Sequence, residues 1–189
     1  MIDALNADER LRQTGLSLPP PPAPLGVYKP CLIDGKYLYL SGHGPVRDDA
    51  TLIIGRIGED MDIEEGKLAA RQVGLTMMAT IQKHFGALSK IKRVIKVLGM
   101  VNCTSDFKRH PYVINGCSEL FALVWGDENG IGVRSAVGFG SYPIIYLLKL
   151  KLCLSWYNLI YITTSVYFIL IVYYTNAWSN ERNKLVFDT

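Results

Sequence analysis

Downstream of Pro143 the chain has neither glycine nor proline. All 17 glycines and all 9 prolines of the 189-residue sequence lie at or before that position. Turns between packed elements draw on these two residues, so the stretch from Ile144 is either continuous secondary structure or not domain sequence. Cysteine is sparse as well: Cys31, Cys103, Cys117 and Cys153 form no CxxC pair, and no histidine sits at metal-ligand spacing from them. That argues against a zinc site and against a disulfide framework. The N-terminal "MIDALNADERLRQ" lacks the basic-then-apolar layout of a signal peptide. The thiols are therefore read as reduced and the protein as cytoplasmic. A net charge of +3 is too small to imply nucleic acid. The basic cluster Lys90, Lys92, Arg93 and Lys96 has no interleaved aromatics and reads as a solvated strand face. No P-loop, dinucleotide fingerprint, paired carboxylate or HExxH motif is present. No metal and no cofactor are expected.

What is present reads as one α/β unit. "ADERLRQTG" predicts a short helix closed by Gly15, and the prolines of "SLPPPPAPLG" (17–26) force an extended strap. "VYKPCLI" and "KYLYLSG" flank Asp34-Gly35, a hairpin signal whose two turn positions would both take positive φ. "TLIIGRIG" predicts a third short strand. Over 62–86, Asp62 and Glu65 form a capping box. Ala69, Val73, Met77, Ile81 and Phe85 recur there as a core stripe, and Gly86 closes the helix. "IKRVIKVLGMVNCT" is a strand. A second helix opens near His110-Pro111, with Val113, Cys117, Leu120, Phe121 and Val124 on its buried face. "GDENG" turns the chain into a strand over 131–140. Two helices alternating with strands and covering one face of a mixed sheet make a two-layer α/β sandwich. Its other face must be buried by assembly or tolerated as polar.

Few residues are candidates for chemistry. Arg134 stands in the apolar strand "VRSAVGF", where a permanent cation needs an anion, a structural salt bridge or an exposed strand face. Ser41 and Gly42, in "YLYLSGHGP", end a strand in small residues that let a ligand approach the backbone, or else form an ordinary turn. His43 beside them means little alone. Asn115 lies among apolar residues of the second helix, able to orient a substrate or to bond the nearby backbone. A Cys103/His110 nucleophile pair has only spacing behind it.

Four segments in this order carry a resemblance: "PLGVYKPCLIDGKYLYLSGHGPV", "GALSKIKRVIKVLGMVN", "PYVINGCSELF" and "VRSAVGFGSYP". Together they resemble the Rid family, the YjgF-like or L-PSP endoribonuclease-like reactive enamine/imine deaminases, over about residues 8 to 143. The resemblance implies a chorismate-mutase-like fold and a homotrimer with sites between subunits. It also implies hydrolysis of 2-imino acids to 2-keto acids and ammonia without a cofactor. By position, Arg134 would hold the substrate carboxylate, while Tyr28, Ser41, Gly42 and Asn115 would shape the pocket. Two departures stand out: Ala136 where those deaminases carry cysteine, and no acid between Glu128 and Glu181, where they place a glutamate on the final strand. Two alternatives follow: a carboxylate-binding trimer with weak turnover, and the ribonuclease of the family's older name.

On this reading residues 1–25 are a helix and Pro-rich segment, 26–143 the domain, and 144–189 an atypical tail. The tail's composition resembles translated A/T-rich non-coding DNA, as from a retained intron or frameshift. Residues 152–175 carry no charge and are long enough for a membrane anchor, the alternative to a cytoplasmic protein. "LLKLKLCL" alternates Lys with Leu and could pair as a substitute final strand.

Overall fold

The computed structural model describes residues 5–139 and 148–156. A five-stranded mixed sheet runs in the order β1-β2-β5-β3-β4. Its strands are β1 (Cys31–Asp34), β2 (Tyr37–His43), β3 (Ile91–Asn102), β4 (Val133–Phe139) and β5 (Leu148–Trp156). Only β3 and β4 pair in parallel; the other neighbours are antiparallel. The helices are α1 (Ala7–Gln13), α2 (Ile63–Phe85), α3 (His110–Trp125) and the single turn α4 (Asp127–Gly130). One apolar core joins α2 and α3 to the sheet, built on Val73, Met77, Ile81, Val113, Phe121 and Leu154.

The helix signals act as expected. Asn6 and Glu9 close a capping box on α1, and Asp62 and Glu65 another on α2. Asp8 of α1 accepts from the Leu88 and Ser89 amides, at 3.1 and 2.8 Å, tying the N-terminal helix to the turn before β3. Pro111 occupies the first turn of α3, where its missing N–H costs nothing. At Gly116 any Cβ would collide with the Lys67 carbonyl of α2. Glycine there lets the two helices touch backbone to backbone and fixes the position of α3.

Two local expectations are corrected. The β1–β2 loop is Gly35-Lys36, since Asp34 still pairs with Tyr37. Only Gly35 has positive φ (+54°), the pattern of a II′ turn rather than one with two left-handed residues. "TLIIGRIG" is not a strand, because its backbone bonds are spent locally. The Arg47 and Ile53 amides close a loop with Thr51 and Pro45, and Gly58 turns back to Met61. Ile57 reaches the sheet, bridging to Cys103, and the Gly55 carbonyl accepts from Asn102 of β3 at 3.0 Å.

The sheet does not stop at Pro143. Leu148–Trp156 lies between β2 and β3 and pairs antiparallel with both. The alternation of "LKLKLCL" suits this place: Leu152 and Leu154 are buried in the core, with Leu154 at 0% exposure. Residues 152–156 of the run read as a membrane anchor thus belong to the sheet, and the remainder lies outside the described residues. Among the described residues no helix is long and apolar enough to cross a membrane.

Candidate functional site

Arg134 is half-buried on β4, opposite Val97 of β3, and reaches toward α3. Its Nη1 donates to Asn115 Oδ1 at 2.9 Å and to Ser118 Oγ at 3.0 Å. Asn115 and Ser118 are three residues apart on one helix face, so a single turn of α3 presents both acceptors. Neither is charged. Among the described residues no carboxylate pairs with Arg134, so the structural salt bridge is not its role. The guanidinium is oriented while its charge stays available. Cys117, on the same helix, is fully buried; burial pushes its thiol far up, against a downward pull from Arg134. It is a core residue.

Tyr28, Ser41 and Gly42 gather at the other end of the sheet, around a cavity of about 560 Å³ that Leu32 and Tyr39 also line. The Ser41 hydroxyl donates to the Lys29 carbonyl at 2.6 Å, and the Ser41 amide to the Pro30 carbonyl at 2.9 Å. Between the pairs Leu40↔Leu152 and His43↔Leu150, two residues of β2 face one of β5. That bulge at Ser41-Gly42 interrupts the ladder and re-aims the backbone, a device that recurs beside binding sites. Tyr28 is tied to the strap, its hydroxyl accepting from the Leu25 amide at 3.3 Å.

The expected residues therefore form two groups. Arg134 and Asn115 meet on the β4 edge, while Tyr28, Ser41 and Gly42 meet on the β1–β2 side. β5 and β3 stand between, so β2 and β4 are three strand spacings apart, roughly 14 Å.

Two participants escaped sequence reasoning. Ser118 could have been found as the i+3 neighbour of Asn115. His43 is buried, with Nδ1 2.7 Å from the Ser41 carbonyl and Nε2 2.8 Å from Thr80 Oγ1. A carbonyl can only accept, so Nδ1 carries a proton toward Ser41, while Thr80 Oγ1 also reaches the Thr76 carbonyl at 3.2 Å. Thr76 and Gln72 extend this seam by holding the Val46 amide and carbonyl. The bulge is thereby anchored to α2.

Cys103 and His110 do come together, Sγ to Nε2 at 3.3 Å. Gly138 of β4 crosses above them, where a Cβ would lie 2.9 Å from the sulfur and clash with the imidazole. Burial raises the thiol's pKa and, with Lys108 adding to the effect, lowers that of the imidazole. Both shifts favour neutral partners over the thiolate–imidazolium pair of a nucleophile. The described residues contain no cluster of His, Cys, Asp or Glu able to hold a metal.

Comparison with known proteins agrees with this architecture. Residues 8–158 match the family model described as "YjgF/chorismate mutase-like, putative endoribonuclease". The chain is 35% identical over 133 residues to Protein TCP17 of Trypanosoma cruzi, covering 70% of this chain and 83% of that protein. A protein of unknown function from Agrobacterium tumefaciens superposes with a TM-score of 0.71 at 32% identity, over 79% of this chain and 91% of the other. A protein from Shewanella oneidensis, described as a putative endoribonuclease, gives 0.76 at 30% identity, over 80% and 99%. The chain belongs to the YjgF/chorismate mutase-like family, and the match runs through β5.

Proposed function

We propose, with membership of that family as the premise, that the protein hydrolyses reactive 2-imino and enamine acids to 2-keto acids and ammonia. It would do so as a homotrimer whose sites lie between copies. One observation carries the reading: Arg134 is held by two neutral oxygens and meets no carboxylate among the described residues. An oriented guanidinium of this kind binds a carboxylate through its remaining N–H groups. With the carboxylate fixed, the adjacent imine carbon is presented to water. Water's oxygen bonds to that carbon, the C=N π electrons move to nitrogen, and nitrogen takes a proton. The resulting carbinolamine expels ammonia and leaves the keto acid. The imine is already electrophilic, so positioning supplies most of the assistance.

Two features support assembly. The two residue groups lie on opposite sides of one sheet, so each needs its complement from a second copy. The sheet face away from the helices carries apolar side chains left to solvent in the single chain, including Val133 at 66% and Val137 at 45% exposure. Burying such a face is a strong drive to associate.

A second reading, carboxylate binding with little turnover, is favoured by β5 itself. The strand has the place of the sequence's missing final strand, yet "LKLKLCLSW" contains no acid to activate water.

The decisive test uses two damaged variants. Arg134→Ala lowers hydrolysis of 2-iminopropanoate by roughly a hundredfold or more, as does blocking the bulge with Gly42→Phe. Random mixed trimers of the two then recover roughly a quarter of wild-type activity, since a quarter of the inter-copy sites are intact. Absence of recovery sinks the inter-copy site. Wild-type rates in Arg134→Ala sink the assignment of Arg134, and pyruvate binding without imine turnover selects the second reading. RNA cleavage that survives loss of Arg134 would support the ribonuclease named for the Shewanella protein.

A further inference from the structure

The helix layer carries exposed apolar side chains of its own. Leu68 of α2 is 64% exposed and Leu123 of α3 50% exposed. Both border a groove of about 390 Å³ between the two helices. Gly116 leaves its floor bare, because the helices touch there backbone to backbone.

The charges along this groove are ordered. Glu64, Leu68 and Arg71 stand at i, i+4 and i+7 of α2, so they form one row with the leucine between the two charges. The row reads acid, apolar, base over two turns of helix, about 10 Å. Glu64 accepts from the Tyr112 hydroxyl at 2.7 Å, a neutral partner that leaves its charge in place. Lys67 spends its ammonium on Glu119, Nζ to Oε1 at 2.9 Å. Arg71 makes no ion pair among the described residues.

Such a row is its own complement. A two-fold axis through Leu68, perpendicular to α2, lays a second row over the first in reverse. Glu64 then faces the partner's Arg71, Arg71 faces the partner's Glu64, and the leucines meet at the centre. A partner surface of a single sign would satisfy one end of the row and repel the other. A second copy satisfies both ends at once, which is the condition for an isologous contact.

We propose that the α2–α3 groove docks a second copy of this chain, two-fold about Leu68. The groove lies on the helix layer and the assembly face read above is the free face of the sheet, so the two contacts do not compete. Pairing therefore doubles the particle: single chains become dimers, and trimers become hexamers. A contact centred on a few leucines is at the small end of specific interfaces, and its dissociation constant is expected on the order of 10 µM. The proposal does not depend on imine chemistry.

Sedimentation velocity of the full chain, run from about 1 to 200 µM, should show the particle mass doubling with concentration. Arg71→Glu and Glu64→Arg each set like charges against one another and should weaken pairing tenfold or more. An equimolar mixture of these two variants restores it, because each chain supplies the sign the other has lost. Leu68→Asp abolishes it, alone or in any mixture. Should either charge reversal fail to fold, Arg71→Ala still weakens pairing. A mass that stays constant across the range overturns the proposal. So does pairing that survives the charge variants, or two reversed chains that fail to associate when mixed. The readout is mass alone, so a wild type that consumes no imine leaves this test standing, and a failed test leaves the imine reading standing.

Discussion

The two edges of the sheet solve opposite problems. At the β4 edge a charge is held in place: Arg134 is oriented by Asn115 and Ser118 from one turn of α3. At the β1–β2 edge a space is held open: the Ser41-Gly42 bulge and the strap surround apolar cavities. The first needs donors and acceptors at hydrogen-bond distance, and the second needs backbone that cannot collapse. On the proposed function, neither edge alone would bind and orient an imino acid. The comparison locates the burden of precision in β5 and β3, the two strands that set their separation.

The largest effect is expected there. Leu154 is fully buried in β5 and pairs with Leu38 on one side and Val94 on the other. Leu154→Ala removes three carbons from the centre of the core and should cost about 2–5 kcal/mol, depending on how far the cavity collapses. Thermal or denaturant unfolding measures this. A loss below about 1 kcal/mol would mean that β5 is not packed as a central strand, and the separation of the edges would have to be set by other elements.

A smaller effect, confined to one edge, tests the seam beneath the bulge. Thr80 is buried and gives His43 one of its partners. Thr80→Val keeps the shape but removes the hydroxyl, with an expected loss of about 1–3 kcal/mol. If His43 positions Ser41 through its carbonyl, KM for the imine also rises while kcat changes little, and Thr80→Ser restores both. A stability loss with KM unmoved would reduce the seam to a structural role. The Arg134 edge should be indifferent to either substitution.

Much of this was legible in the sequence, and the failures have physical causes. The helices were read correctly because caps and core stripes are local: Asp62, Glu65 and the Ala69-to-Phe85 stripe all lie within one continuous segment. The turn at Gly35 was displaced because a hairpin loop is defined by which residues pair, and Asp34 pairs. "TLIIGRIG" has strand composition, yet a strand needs a neighbour to bond along its length, and this segment makes isolated bridges such as Leu52 to Val46 and Ile57 to Cys103. β5 was legible in the Lys/Leu alternation of "LLKLKLCL", read as a substitute final strand, and it does pair with β2 and β3. Its surroundings have the composition of non-domain sequence, but a strand needs only period-two alternation and an open ladder on each side, which β2 and β3 provide. For the site, resemblance supplied Arg134, Asn115 and Ser41. Ser118 acts through Arg134, 16 residues away, and His43 joins nearby Ser41 to Thr80, 37 residues away, and a residue type does not announce such partners.

The smallest expected effect lies under β4, where Cys103 and His110 meet beneath Gly138. Burial, helped by Lys108, depresses the imidazole's pKa in the folded chain, so His110 resists protonation there more than in the unfolded chain. As pH falls below the unfolded value near 6.5, the unfolded state binds the proton first and gains stability relative to the fold. The contribution of neutral His110 is therefore complete above about pH 6.5 and is lost as pH falls through its lower folded pKa. Melting temperature should decline between pH 7 and 5, and the decline should be shallower in His110→Gln. Imine hydrolysis in that variant, compared with the wild type at pH 7.5, should change little, since both groups are held neutral and neither is presented as a nucleophile. A large loss of turnover in both His110→Gln and Cys103→Ala at unchanged stability would contradict this, and would move the chemistry of the β4 edge from Arg134 to the thiol beneath it.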